Sequence, residues 1–184
     1  MHLKCRFNCL RMKLNRIFPI LTACALFILP SCLGGNENPS DYSEWRVLNQ
    51  NYYDSIEIAT IDGILQYIPI TPVWDNSFTV LMHWHNDPEE NTSAITPLST
   101  STCHVKYTLT NIVGDTLDSS DSFQCVPNNM VTGFMAAITN MRINDTVTAV
   151  IPYTAGYGAY GYSSIPPYTT LIFGIRLDSI SKLM

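Results

Sequence analysis

Three groups of side chains in this 184-residue sequence have the types and spacing to do chemistry. His83 and His85 stand two apart in a segment, Phe78 to His85, that alternates as a strand does, so both imidazoles share one face and could be offered to a metal. A zinc site needs about four ligands. No carboxylate or cysteine lies at a recognisable spacing to complete one, so an exposed strand face is the expectation. Cys103 and Cys125 are the second group. They could pair in an oxidising compartment or remain two buried thiols, because sequence alone does not say how close their Cα atoms come. The third is GYGAYGYSSIPPYTTLIF, Gly156 to Phe173. Tyr157, Tyr160 and Tyr162 alternate with Gly156, Gly158 and Gly161, and Pro166-Pro167 then leads into a run that reads as a buried strand. Aromatic rings are thus carried on a hinge-like loop with a stiff anchor.

The elements that must hold these residues follow from periodicity. Asp41 to Ile56 reads as a helix with Trp45, Leu48, Tyr52 and Ile56 on its apolar stripe, and Asp41 with Glu44 has capping-box spacing. Gly63 to Trp74 is apolar but broken by prolines, which suits an edge strand or extended segment. Phe78, Val80, Met82 and Trp84 form the buried side of the next strand. Asn86 to Leu98 is a polar loop, and its Asn91-Thr92-Ser93 sequon means little if the host is bacterial. Cys103, Val105 and Tyr107 alternate as a strand; Gly114-Asp115 turns; Thr116 to Asp118 is extended; Phe123 and Cys125 open another strand. Asn128 or Asn129 caps a helix whose stripe is Val131, Phe134, Ile138 and Met141. Asn144-Asp145 turns into the strand Thr146 to Ile151, and Leu171 to Ile175 is the closing strand. Antiparallel strands with one short helix across a face make an α+β domain.

The N-terminus has a different character. Met12 to Cys32 runs from basic residues through an apolar stretch, Ile17 to Leu29, to small residues and a cysteine, the order of a secretory signal peptide. The stretch is short for a bilayer span and broken by Pro19. Leu29-Pro30-Ser31-Cys32 resembles a bacterial lipobox, which implies cleavage before Cys32 and a diacylglycerol on its sulfur. A plain signal peptide or a membrane-anchor helix is the alternative. Five of the ten basic residues precede Cys32 and none of the fifteen acidic ones does, so the processed chain carries a formal charge of −10. Such a chain would be repelled by phosphate, which argues against nucleic acid as a partner.

In their order, the C-terminal pieces resemble the FKBP family of peptidyl-prolyl cis-trans isomerases. Val105–Thr108 (VKYT), Leu117–Ser120 (LDSS), Met130–Phe134 (MVTGF), Gly156–Gly158 (GYG), Ile165–Pro167 (IPP) and Thr170–Phe173 (TLIF) follow the family's V-x-Y-T-G, F-D-S-S, V-I-x-G-W, A-Y-G, I-P-P and T-L-x-F. The resemblance spans about Pro97 to Ile180. It implies an antiparallel half-barrel sheet wrapped around a short helix, preceded here by a signal (1–31), a tether (32–40) and a helix-and-strand extension (41–96), with the FKBP-like domain at 97–184. It also implies an apolar pocket lined by Tyr107, Leu117, Asp118, Phe123, Met130, Val131, Phe134, Tyr157, Ile165 and Phe173. In that pocket Tyr157 would donate its hydroxyl to a substrate carbonyl, the Val131 N–H would hold another carbonyl, and Asp118 would polarise the rim.

The implied substrates are proline-containing polypeptides, with a macrolide as a further ligand and neither metal nor cofactor. Rotation about a peptide bond faces a barrier of about 18–20 kcal/mol from amide resonance, and a dry aromatic site favours the twisted, less dipolar amide. No nucleophile is required. The chain departs from the pattern at Leu117, where the family has Phe, at Phe134, where it has Trp, and at Leu109, where it has Gly. The segment between Asp118 and Phe123 is also shorter. Two functions follow: a lipid-anchored isomerase of weak or altered activity that assists exported proteins in the cell envelope, or a non-catalytic module that holds proline-containing segments or an envelope partner.

Overall fold

The computed structural model describes residues 41–87 and 91–182. The signal-like segment, the tether and Cys32 lie outside them. Helix α1 (Ser43–Glu57) is followed by a two-stranded ribbon, β1 (Thr60–Ile61) and β2 (Ile64–Leu65), and then by β3 (Ile68–Ile70) and β4 (Val80–Trp84). After the polar loop come β5 (Thr102–Thr110), β6 (Thr116–Cys125), helix α2 (Thr132–Thr139), β7 (Thr146–Ile151) and β8 (Leu171–Lys182). Six strands form one antiparallel sheet in the order β3-β4-β7-β8-β5-β6. The α+β class is as expected, and the extension supplies two of the six strands.

Both faces of the sheet are covered at its β4–β7 half. Leu81 pairs with Val150 in register, and both pack with Tyr53 of α1 on one face. Val80, Met82, Val147, Ala149 and Ile151 point the other way, into the main core with Phe134, Ile138 and Phe173. The sequence pattern gave β4 a single buried side. Leu81 is nevertheless fully buried, because α1 lies over the face that alternation assigns to solvent.

Helix α1 also turns a different stripe inward. Leu48 is exposed, whereas Asn49 and Tyr53 are buried. Asn49 can be buried because both ends of its amide are bonded: Nδ2 donates to the Trp45 carbonyl at 2.8 Å and Oδ1 accepts the Thr170 N–H at 2.7 Å. At the helix start Asp41 accepts the Ser43 N–H at 3.0 Å, and no capping box with Glu44 forms.

Helix α2 begins later than expected. Asn128 and Asn129 lie in a 3-10 turn, and Val131 takes the N-cap position, its carbonyl accepting the Met135 N–H at 3.1 Å. The helix packs tightly on the sheet because residue 133 has no side chain: a Cβ there would sit 2.1 Å from the Ile151 Cγ2.

The two segments 116–118 and 123–125 are one continuous strand, β6, with a register shift opposite Val105 and Tyr107. Strand β8 runs well beyond Ile175 and pairs along β5 as far as Thr102. Asn91 of the sequon has its amide engaged internally, donating to the Ile143 carbonyl at 3.0 Å and to Asp145 Oδ1 at 2.6 Å. Among the described residues no helix is long and apolar enough to cross a membrane.

Candidate functional site

Strands β5, β6 and β8, helix α2 and the 152–170 segment bring the sequence-predicted pocket residues together. Tyr107 of β5 is the central ring. It meets Phe123 of β6 edge-on, with centroids 5.4 Å apart, and Phe173 of β8 at 6.0 Å. Phe173 in turn contacts Phe134 of α2 at 5.2 Å and 66°. Edge-to-face contacts of this kind fix ring orientation as well as burying area.

The members differ in depth. Phe134, Phe173 and Ile165 are buried, whereas Tyr107, Leu117, Phe123, Met130, Val131 and Tyr157 are half-buried and pack against the core. Phe134, at 1% exposure, lies beneath Phe173 and is a core residue as much as a pocket one.

The polar groups lie at the rim. The Tyr107 hydroxyl donates to Asp118 Oδ2 at 2.5 Å, and Asp118 Oδ1 accepts the Ser119 N–H at 2.8 Å. Burial pushes the Tyr107 phenol well above its ordinary range, and its hydrogen bond to Asp118 adds to the shift. Tyr157 is raised too, by burial first and then by Tyr162 and the Asp118 carboxylate. Both phenols are therefore protonated donors at neutral pH. Tyr107 spends its proton on Asp118. Val131 stands at the head of α2, where the first N–H groups of a helix lack intrahelical acceptors.

The loop that carries Tyr157 is held from three directions. Tyr162 and Ile165 exchange backbone hydrogen bonds at 2.9 and 2.8 Å, closing a tight turn. Gly161 enters this turn at φ +68°, where a Cβ would lie 2.3 Å from the Ile165 carbonyl oxygen. Gly156 packs closely on β8, where a Cβ would lie 2.9 Å from the Leu171 Cδ1.

The third restraint comes from α1. Trp45 Nε1 donates to Thr169 Oγ1 at 3.0 Å, and the Arg46 guanidinium lies 5.9 Å from the Tyr153 ring centre and 5.1 Å from that of Tyr168. Sequence reasoning missed this clasp and the stacking of Tyr162 on Tyr157 at 5.2 Å and 13°. The stripe Trp45, Asn49, Tyr53 and Ile56, at four- and three-residue spacing, was the available signal, masked by the polar Asn49.

The remaining candidates stand apart. The His83 ring bonds the Gln66 carbonyl through Nδ1 at 2.6 Å, and His85 Nε2 bonds Thr148 Oγ1 at 2.8 Å. Among the described residues no three His, Cys, Asp or Glu side chains gather as a metal-binding group. Cys103 and Cys125 face each other in the β5–β6 register and are free, buried thiols. Burial raises Cys103 to about 11 and, with Cys103 beside it, Cys125 to about 12.

Comparison with known proteins assigns a family to part of the chain. A family model described as FKBP-type peptidyl-prolyl cis-trans isomerase matches residues 93–178. Residues 93–178 belong to the FKBP family. The FKBP-type 22 kDa peptidyl-prolyl cis-trans isomerase of Escherichia coli is 33% identical over 89 residues, 46% of this chain and 43% of the relative. The match thus spans less than half the length of that relative.

Among solved structures, a peptidyl-prolyl cis-trans isomerase from Pseudomonas syringae pv. tomato superposes with a TM-score of 0.64 at 21% identity, covering 77% of this chain and 97% of that one. FkpA from Escherichia coli gives a TM-score of 0.59 at 20% identity, covering 74% and 61%. At such identities the likeness concerns the fold. Elements α1 to β4 precede the matched residues, yet β4 pairs with β7 inside the FKBP-type sheet.

Proposed function

We propose that the chain is a peptidyl-prolyl cis-trans isomerase that acts on Xaa-Pro bonds of exported polypeptides and is tethered to the cell envelope of a bacterium by a lipid on Cys32. The observation that carries the activity is the aromatic basin of Tyr107, Phe123 and Phe173 over Phe134, with the protonated Tyr157 hydroxyl at its rim. A prolyl ring seated on these faces leaves water. The Xaa-Pro amide then loses the solvent that favours its planar, dipolar form. The Tyr157 hydroxyl and the Val131 N–H would orient the flanking carbonyls, so binding energy favours the twisted amide over the planar one. Asp118 would act through Tyr107, whose ring its carboxylate holds in place. The same basin would accept an apolar macrolide, and such a ligand would compete with the peptide.

Cis/trans exchange of a proline peptide tests the activity. Acceleration above background at micromolar protein is expected, lowered by Tyr157→Phe. Peptide binding without acceleration would instead establish the non-catalytic module, for which the replacement of Phe by Leu117 and of Trp by Phe134 speaks. A mass spectrum of membrane-extracted protein tests the tether: an unmodified Cys32 would remove it and, with it, the assignment to the envelope.

A further inference from the structure

Beside the aromatic basin lies a groove of about 520 Å³, lined by Tyr42, Tyr160, Tyr162, the Ser163 and Ser164 pair and Pro166-Pro167. We propose that this groove is a second subsite, receiving the substrate residues that flank the Xaa-Pro pair and favouring uncharged segments rich in aromatic residues or proline. The inference rests on the isomerase reading for the identity of the first site.

Four observations carry it. The groove adjoins the basin: Ile165 belongs to the lining of one and to the apolar cluster beneath the other, and Tyr162 stacks on Tyr157. A chain leaving Tyr157 therefore meets the Tyr162 side chain next. The groove is also built rather than incidental. The Tyr162–Ile165 backbone pair, Gly161 at positive φ and the Thr169 hydroxyl bonded to the Pro166 carbonyl at 2.8 Å fix the wall made by the loop.

Its chemistry selects the occupant. Among the described residues no charged side chain lines it, while phenol and serine hydroxyls offer hydrogen bonds to an extended backbone and tyrosine faces offer stacking. Tyr160, at 94% exposure, is a large aromatic ring with almost no intramolecular packing. Finally, Tyr42 comes from the extension, so the groove is completed by a residue outside the matched FKBP-type span. A volume of this size falls within the range of small-ligand sites and suits a few peptide residues rather than a folded partner.

The test compares the affinity of full-length protein for two fluorescent peptides sharing one Xaa-Pro core, a tetrapeptide and a dodecapeptide with aromatic and proline flanks. The dodecapeptide should bind roughly tenfold more tightly. Tyr160→Ala and Tyr42→Ala should each reduce that ratio by about two- to tenfold, the worth of one aromatic contact. Tyr160 is so exposed that its removal leaves the core untouched, and Tyr42 sits on a different element, so a shared effect cannot come from one misfolded loop. Aspartate in the flanks should weaken binding. Equal affinities for the two peptides, or a length advantage that survives both substitutions, would overturn the subsite. Length-dependent binding with no turnover would support the subsite and sink the isomerase reading instead; failure of both peptides to bind would overturn both.

Discussion

The Tyr157 hydroxyl is the group most directly exposed to test. Its phenol is raised by burial, Tyr162 and Asp118, so the donor form persists above the ordinary tyrosine range of about 10. Peptide isomerisation should therefore show no loss of kcat/KM between about pH 6 and pH 9. A fall across that window would mean that another, more acidic group is needed. Tyr157→Phe removes one neutral hydrogen bond, worth about 1 kcal/mol, and should lower kcat/KM by roughly three- to tenfold while leaving the stacked ring in place. The neighbouring departure from the family pattern makes a second prediction. Phe134 is 1% exposed and already in edge contact with Phe173, so the larger indole of Phe134→Trp has to displace its neighbours. Overpacking of this kind costs about 1–3 kcal/mol, read as a lower urea midpoint. A gain in stability would show that the space beneath Phe173 is not filled.

Among the elements, α1 deserves to be counted with the site although it lies outside the matched span. It reaches the segment before β8 through Trp45, Arg46 and Asn49, and that segment leads into the strand that carries Phe173. Asn49→Ala would strip the buried Thr170 N–H of its acceptor and should cost about 1–3 kcal/mol, whereas Leu48→Ala, on the exposed face, should stay within about 0.5 kcal/mol. Urea unfolding of the two variants separates them, and the reverse order would put Leu48 on the buried stripe. The pair also shows what the sequence could and could not reveal. Strands β5 and β7 and the basin residues were legible because local alternation and short motifs report on neighbours along the chain. The inward turn of Asn49 was not, since a buried amide is acceptable only where a partner 121 residues away completes it. Leu81 was misassigned to solvent for the same reason: the helix that covers it is joined to it by tertiary contact, not by pattern. The N-cap of α2 was misplaced because Asn128 and Asn129, good caps by type, had been taken up by a 3-10 turn.

For the whole molecule, buried titratable groups set limits at both ends of the pH scale. Burial alone would raise the Asp145 carboxyl, but four donors outweigh it: the Arg142 N–H at 2.8 Å, Asn91 at 2.6 Å, Asn86 at 3.1 Å and the Trp84 indole at 3.2 Å. The carboxyl is held below its ordinary value, so its contribution is present above the unfolded pKa of about 3.9 and is lost as pH falls through the lower folded value. Because these donors come from β4, the polar loop and the turn into β7, protonation loosens three parts of the chain together. At the other end, Cys103 and Cys125 are raised by burial to about 11 and about 12, and Tyr53 and Tyr107 are raised as well. A raised folded pKa reverses the sign. These groups contribute fully below the unfolded thiol value of about 8.5, and the contribution is lost as pH rises towards the folded values, because the unfolded chain releases its protons first. The urea midpoint should therefore form a plateau between about pH 5 and pH 8.5, falling on both sides. Asp145→Asn should lower the plateau and flatten the acid limb, while Cys125→Ala should flatten the alkaline limb. An alkaline limb unchanged by Cys125→Ala would assign that loss of stability to Cys103 and the tyrosines.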